Sequence, residues 1–252
     1  MLEVEKLDAC VSVMRIEKIG EVGIKLLQRR IPCVIEKPLG TSLPEIERLA
    51  RVARETQTPH MISVNRRFMP YLNQARSWMQ QHGPLRYVRA SQVRHRRSEP
   101  DFIWSTAIHA IDALRYIAGN VEEFDVAVSR AGDATWYVIS LRFESGTTGL
   151  VEILPTAGMV EESYELFGEG CRARVTAGSG TQRSLECWAN GESVIESHAT
   201  EEEPEDLRNG AYQEVEEFVR ALQIGSRPQP TIDDILPSAR ISFAIADRVG
   251  FA

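Results

Sequence analysis

The sequence predicts an α/β unit followed by an α+β unit, and three observations carry that reading. Short apolar segments alternate with amphipathic ones through the first third of the chain, the rhythm of strands and crossover helices on a parallel sheet. After Gly83-Pro84 the pattern changes to strand-like runs punctuated by glycines, which is the habit of an antiparallel sheet. Two amphipathic segments then close the chain as helices.

Taken in order, Leu7 to Met14 reads as a short buried strand. Ile16 to Arg29 follows as a helix, because Ile16, Ile19, Val22, Gly23, Leu26 and Leu27 recur at helical spacing. Cys33-Val34-Ile35 forms a second strand, stopped by Pro38 and Gly40. Thr41 or Ser42 caps a helix whose apolar stripe is Leu43, Ile46, Leu49, Ala50 and Ala53. Met61 to Val64 is a third strand, and Tyr71 to Gln81 a helix closed by Gly83-Pro84. Beyond that boundary, Leu85 to His95 is a longer strand and Ile103 to Ala118 one helix. Strands fill most of the stretch from Glu123 to Ser197. Trp136 to Phe143 and Thr148 to Leu154 pair as a hairpin through a short glycine-containing loop. The acidic run Glu201 to Asp206 reads as a solvated loop, before helices over Tyr212 to Leu222 and Ile235 to Val249. Two domains are expected, over residues 1–83 and 84–252.

Composition narrows the function. A net charge of −7 and a pI near 5.4 argue against a protein that grips nucleic acid. Cys10, Cys33, Cys171 and Cys187 form no C-x-x-C pair and read as reduced thiols of a cytoplasmic protein. No apolar run of about 18 residues suggests a membrane span.

The candidate chemistry lies in two segments. Val34-Ile35-Glu36-Lys37-Pro38 runs a buried strand straight into two charges, at the kind of strand end where open α/β sheets bind ligands. A lysine there can bond a substrate hydroxyl or exchange a proton with it. On the Ile103–Ala118 helix, Ser105, His109 and Asp112 stand at i, i+4 and i+7, one polar stripe among apolar neighbours. His109 and Asp112 alone do not complete a metal site, so no metal is expected. A basic cluster of Arg86, Arg89, Arg94, His95, Arg96 and Arg97 accompanies the first strand of the second unit and reads as solvated surface, although one of its faces could meet an acidic or phosphorylated substrate.

Three features stand in register: Glu36-Lys37-Pro38, the turn Asn65-Arg66-Arg67-Phe68-Met69-Pro70, and His109-x-x-Asp112. Together they resemble the Gfo/Idh/MocA oxidoreductases, the family of glucose-fructose oxidoreductase and inositol dehydrogenase. The resemblance implies a Rossmann-type parallel-sheet domain, here partial, followed by an open antiparallel sheet domain with helices. It implies NAD or NADP as cofactor and a sugar-like or polyol substrate meeting it at the interdomain cleft. Lys37 and His109 would be catalytic. Glu36, Lys37, Pro38 and Asn65 would contact the cofactor, and Arg94, Ser105, His109 and Asp112 the substrate. The family pattern has an aspartate where this chain has Ser105. No G-x-G-x-x-G follows a strand, so the phosphate-binding start of the cofactor domain is expected to be missing and dinucleotide binding weak. A non-catalytic binding or assembly module is the alternative. The resemblance also implies a homodimer or higher homo-oligomer through the open sheet, to which Trp136, Tyr137 and Phe143 would lend aromatic area.

Overall fold

The computed structural model describes residues 5–178, 183–200 and 203–250. The first unit contains β1 (Cys10–Ser12), α1 (Ile16–Gln28), β2 (Cys33–Glu36), α2 (Leu43–Thr56) and β3 (His60–Ser63). A 3-10 turn, Asn65–Phe68, then leads into α3 (Pro70–His82). The strands form a parallel sheet in the order β1-β2-β3, with Cys10 opposite Cys33 and Cys33 opposite His60. On one face Ile35 packs under Ile19, Leu26 and Leu27 of α1 and Ile46 and Leu49 of α2. β1 is shorter than the Leu7–Met14 run that periodicity suggests. It is an edge strand whose pairing stops at Ser12, and Val11, Val13 and Met14 stay exposed.

The second unit begins with β4 (Tyr87–Val93), followed by α4 (Phe102–Ser105) and α5 (Ile108–Ala118). Seven strands follow: β5 (Val121–Ala131), β6 (Ala134–Phe143), β7 (Thr148–Leu154), β8 (Glu161–Gly168), β9 (Cys171–Gly178), β10 (Arg183–Ala189) and β11 (Glu192–His198). They join β4 in one sheet of order β11-β10-β9-β8-β4-β7-β6-β5, antiparallel except for the parallel β4–β7 pair. The β6–β7 hairpin forms in the expected place. α3 and α5 cover one face, and the residues beneath them alternate with outward ones along β4, β7 and β8, as the two-residue period requires. Tyr137 and Phe143 point to this covered face, at 3% and 0% exposure, so they belong to the core and offer no contact area to a partner.

The chain closes with α6 (Glu205–Arg208), α7 (Ala211–Gln223) and α8 (Ile232–Arg248). Glu201 and Glu202 of the acidic run lie outside the described residues. Glu205, expected in a solvated loop, instead opens α6 and ion-pairs with Arg183. α7 seats Phe218 on Val34 and Met61, covering the second face of the parallel sheet. α8 starts in a capping box between Thr231 and Asp234. One flank of α8, with Ile235, Ala239 and Phe243, enters the core of the first unit; the other, with Ile245 and Ala246, enters that of the second. The helix therefore staples the two cores, although it lies well beyond the division expected at residue 83. No helix among the described residues is long and apolar enough to cross a membrane.

Gly210 shows how closely α7 approaches the 3-10 turn. Its φ is +87°, and an added Cβ would lie 2.2 Å from the Asn65 carbonyl oxygen. Gly210→Ala is therefore expected to cost about 3 kcal/mol through backbone strain and overlap. A urea-unfolding midpoint unchanged from wild type would contradict this packing.

Candidate active site

The carboxyl end of β2 delivers Glu36, Lys37 and Pro38 to the junction of the two units, with the Lys37–Pro38 peptide cis. The Lys37 ammonium donates to the Ser105 carbonyl at 2.9 Å. That bond accompanies a departure from the sequence expectation, since the single helix over Ile103 to Ala118 is broken into α4 and α5. In an unbroken helix the Ser105 carbonyl would accept from the His109 amide. Here the His109 amide donates to Thr106 instead, at 3.3 Å, and the Ala107 amide reaches back to Phe102. The freed Ser105 carbonyl is satisfied by Lys37, and the break replaces the regular i, i+4, i+7 stripe.

Lys37, Pro38, Arg94, Ser105 and His109 line one cleft of about 520 Å³, joined by Arg66 and Arg97. Burial pushes Lys37 down to about 8, against the pull of the Glu36 carboxylate, with Arg66 and Arg97 adding to the depression. His109 is 5% exposed. Burial, then the positive charges of Arg66 and Lys37, hold it well below the usual imidazole range, so the ring is neutral at physiological pH. Its Nδ1 is buried and has no hydrogen-bond partner among the described residues.

Beside these groups lies a buried polar network. The Glu162 carboxylate accepts from Arg66 Nε at 3.0 Å and Nη2 at 2.7 Å, from the Tyr164 hydroxyl at 2.9 Å and from Gln92 at 3.2 Å. Arg94 donates to the same carboxylate. Burial alone would raise Glu162, but the two guanidinium groups overcome it and hold the carboxyl well below its ordinary value. Sequence reasoning missed Glu162 and Tyr164. A signal was present: Glu162 occupies an inward position of β8, two residues before Tyr164 and four before Leu166, where an acid needs a cationic partner.

Three of the expected site residues are placed outside the cleft lining. Asp112 is 1% exposed and fully engaged, accepting a bidentate pair from Arg67 at 2.8 Å and the Ser238 hydroxyl at 2.7 Å. Both of its oxygens serve the packing of α5 against the 3-10 turn and α8. Asn65 donates to the Asn209 carbonyl at 2.9 Å and accepts from Arg66, which ties the turn to the approach of α7. Glu36 ends β2 opposite Ser63 of β3; burial raises it above the usual carboxylate range, opposed by Ser63 and the charges of Lys37 and Arg66. Among the described residues no group of three His, Cys, Asp or Glu side chains is arranged to hold a metal ion.

Glu214 of α7 was not anticipated either. It accepts from the Ser63 hydroxyl at 2.7 Å and the Val64 amide at 2.6 Å, satisfying backbone at the end of β3. Burial raises it to about 7, the hydrogen bonds from Ser63 and Val64 oppose the shift, and the Glu36 charge adds to it. A carboxyl whose folded value exceeds its unfolded one binds more protons when folded, so its contribution is full in acid and lost as pH rises through about 7. Glu214→Gln is expected to flatten the pH dependence of the melting temperature between about 5 and 8 relative to wild type. Parallel profiles for the two proteins would contradict this assignment.

No family model and no curated protein matches the chain. Solved structures do. A dehydrogenase from Chromobacterium violaceum is 18% identical, superposing over 98% of this chain and 78% of its own with a TM-score of 0.87. A Gfo/Idh/MocA family oxidoreductase from Vibrio cholerae is 20% identical over 96% of this chain and 78% of its own, TM-score 0.81. An oxidoreductase from Agrobacterium radiobacter, solved with NAD+, L-tartaric acid and magnesium, is 16% identical over 97% of this chain and 78% of its own, also at 0.81. The chain thus has the fold of the Gfo/Idh/MocA-type dehydrogenases and oxidoreductases, a parallel-sheet unit joined to an open, mostly antiparallel sheet.

Proposed function

We propose that this chain is a nicotinamide-dependent oxidoreductase acting on a hydroxyl or carbonyl carbon of a sugar or polyol. The observation that carries the reading is the pairing of a desolvated Lys37 with a neutral His109 in one cleft, at the carboxyl end of a parallel strand. The fit to a nicotinamide is local. Ile16 and Pro38 offer apolar wall, and Lys37 a hydroxyl ligand, for the nicotinamide and its ribose. The second reading is a binding or assembly module without catalysis.

When bound, the nicotinamide supplies the hydride acceptor or donor. Lys37 holds the substrate oxygen and exchanges its proton, a task suited to a value near 8. His109 orients the substrate through its unpartnered Nδ1, and Ser105, 4% exposed, helps to close the floor. Oxidising an alcohol requires neutral Lys37 to take the proton, so the rate should rise as pH increases through about 8; reduction requires the ammonium and should fall over the same range. Lys37→Met is expected to lower kcat at least 100-fold. The assay follows nicotinamide absorbance with millimolar NAD+ or NADP+ and a polyol panel. Saturable polyol binding without turnover, and without a change in NADH fluorescence, would favour the binding module.

We also propose a homodimer through the uncovered face of the large sheet. Val138, Leu150, Phe167 and Trp188 share that face, which no helix of the described residues covers, and Arg89, Glu152 and Glu165 pair across it. Light scattering is expected to give a dimer mass for wild type and a monomer mass for Leu150→Arg. A monomer mass for wild type across a tenfold concentration range would refute the assembly.

A further inference from the structure

A second cavity, of about 240 Å³, adjoins the cleft and shares Arg66 and Arg94 with it; Arg183, Glu162, Glu205 and Asn209 supply the rest of its polar side chains, and Met69, Val160 and Ala177 its apolar wall. Arg183 is the first residue of β10, and its side chain is 9% exposed. Its Nε donates to the Gly178 carbonyl at 2.9 Å and its Nη2 to Glu205. Its Nη1 is buried without a hydrogen-bond partner among the described residues. A buried donor left unmade costs about 1–3 kcal/mol, more when it is charged, so a side chain that lines the cavity carries an unsatisfied donor.

The other two arginines do not close it. Arg66 and Arg94 share the single carboxylate of Glu162, which already accepts from Tyr164 and Gln92 and has no capacity left for Arg183. Glu205 does pair with Arg183, but its side chain is 56% exposed and its charge is screened by water. Three guanidinium groups thus face one buried carboxylate and one solvated one, in a protein whose net charge is −7.

We propose that the substrate of the cleft carries an oxyanion, a carboxylate or a phosphate, and that Arg183, Arg94 and Arg66 receive it. At about 30 Å³ per water-sized group the cavity holds roughly eight such groups, enough for an anionic terminus and its neighbouring carbons. The guanidinium fork matches either oxyanion, whereas a neutral hydroxyl would leave the positive charge uncompensated. The substrate class is then an acidic sugar derivative, with its reacting carbon at Lys37 and its charged end at Arg183. This rests on the oxidoreductase reading for the position of the reacting carbon only.

Calorimetric titration of the full chain with D-gluconate, D-glucose 6-phosphate and D-glucose tests it. At least one anionic probe is expected to bind tenfold or more tightly than glucose, and the stronger of the two identifies carboxylate or phosphate. Arg183→Gln should remove that preference and leave glucose affinity unchanged. Glu205→Gln, which frees Arg183 of its solvated counter-ion, should tighten the anion severalfold, and it reads the site even if the arginine variant misfolds. Equal affinity for glucose and both anions, an equal loss for all three probes in Arg183→Gln, or no saturable anion binding would overturn the proposal. Glucose binding that depends on Lys37 but shows no anion preference would sink this inference alone. An anion affinity that is itself unchanged in Lys37→Met would instead count against the oxidoreductase reading.

Discussion

The Glu162 carboxylate is the constraint on which the junction of the two sheets depends. An ionised carboxylate taken out of water carries a desolvation penalty of several kcal/mol, and here it is offset only because Arg66 and Arg94 reach it together with a tyrosine hydroxyl and an amide. Arg66 comes from the 3-10 turn after β3, Arg94 from the residue following β4, and Glu162 from the adjacent strand β8. Satisfying one charge therefore fixes the end of the parallel sheet against the start of the antiparallel one. Lys37 and His109 converge on a cleft whose wall is that same ion cluster, so Arg66 adds to the depression that burial imposes on both groups.

A second buried acid works in parallel. Asp112 engages Arg67, the neighbour of Arg66, and through Ser238 reaches α8, the helix that enters both cores. Adjacent arginines on one short turn thus serve two separate carboxylates. Neither could be lost cheaply, since removing one partner of a buried pair leaves the other uncompensated, at a cost of about 3–5 kcal/mol.

Much of the architecture could be read from local pattern. The helical stripes of α1 and α2, the turn at Gly83-Pro84 and the β6–β7 hairpin are dictated by near neighbours in the chain. Lys37 was legible for the same reason: a charged residue directly after a buried strand has only the strand end to occupy. Contacts over long sequence separations were not legible. The break between α4 and α5 comes with a hydrogen bond from Lys37, 68 residues earlier, and the occupation of Asp112 comes from Arg67 and from Ser238, 126 residues later. Tyr137 and Phe143 were misjudged because alternation in β6 assigns residues to two faces without saying which face the helices cover. Arg183 gave no local sign at all, since its neighbours mark only a strand start.

The 3-10 turn also bears on how a ligand reaches the cleft. With Arg66 and Arg67 each locked into a buried carboxylate on the other side of the junction, swinging the two sheets apart would require several buried ion pairs to be broken in concert. Domain hinging is thereby suppressed. The wall formed by Arg97 and Glu99 is different, because these two bond mainly to each other and their side chains are 40% and 46% exposed. Entry and exit then become a matter of side-chain rotation at the mouth, on the nanosecond scale of surface groups, and association should be paced by diffusion and charge attraction more than by opening of the protein.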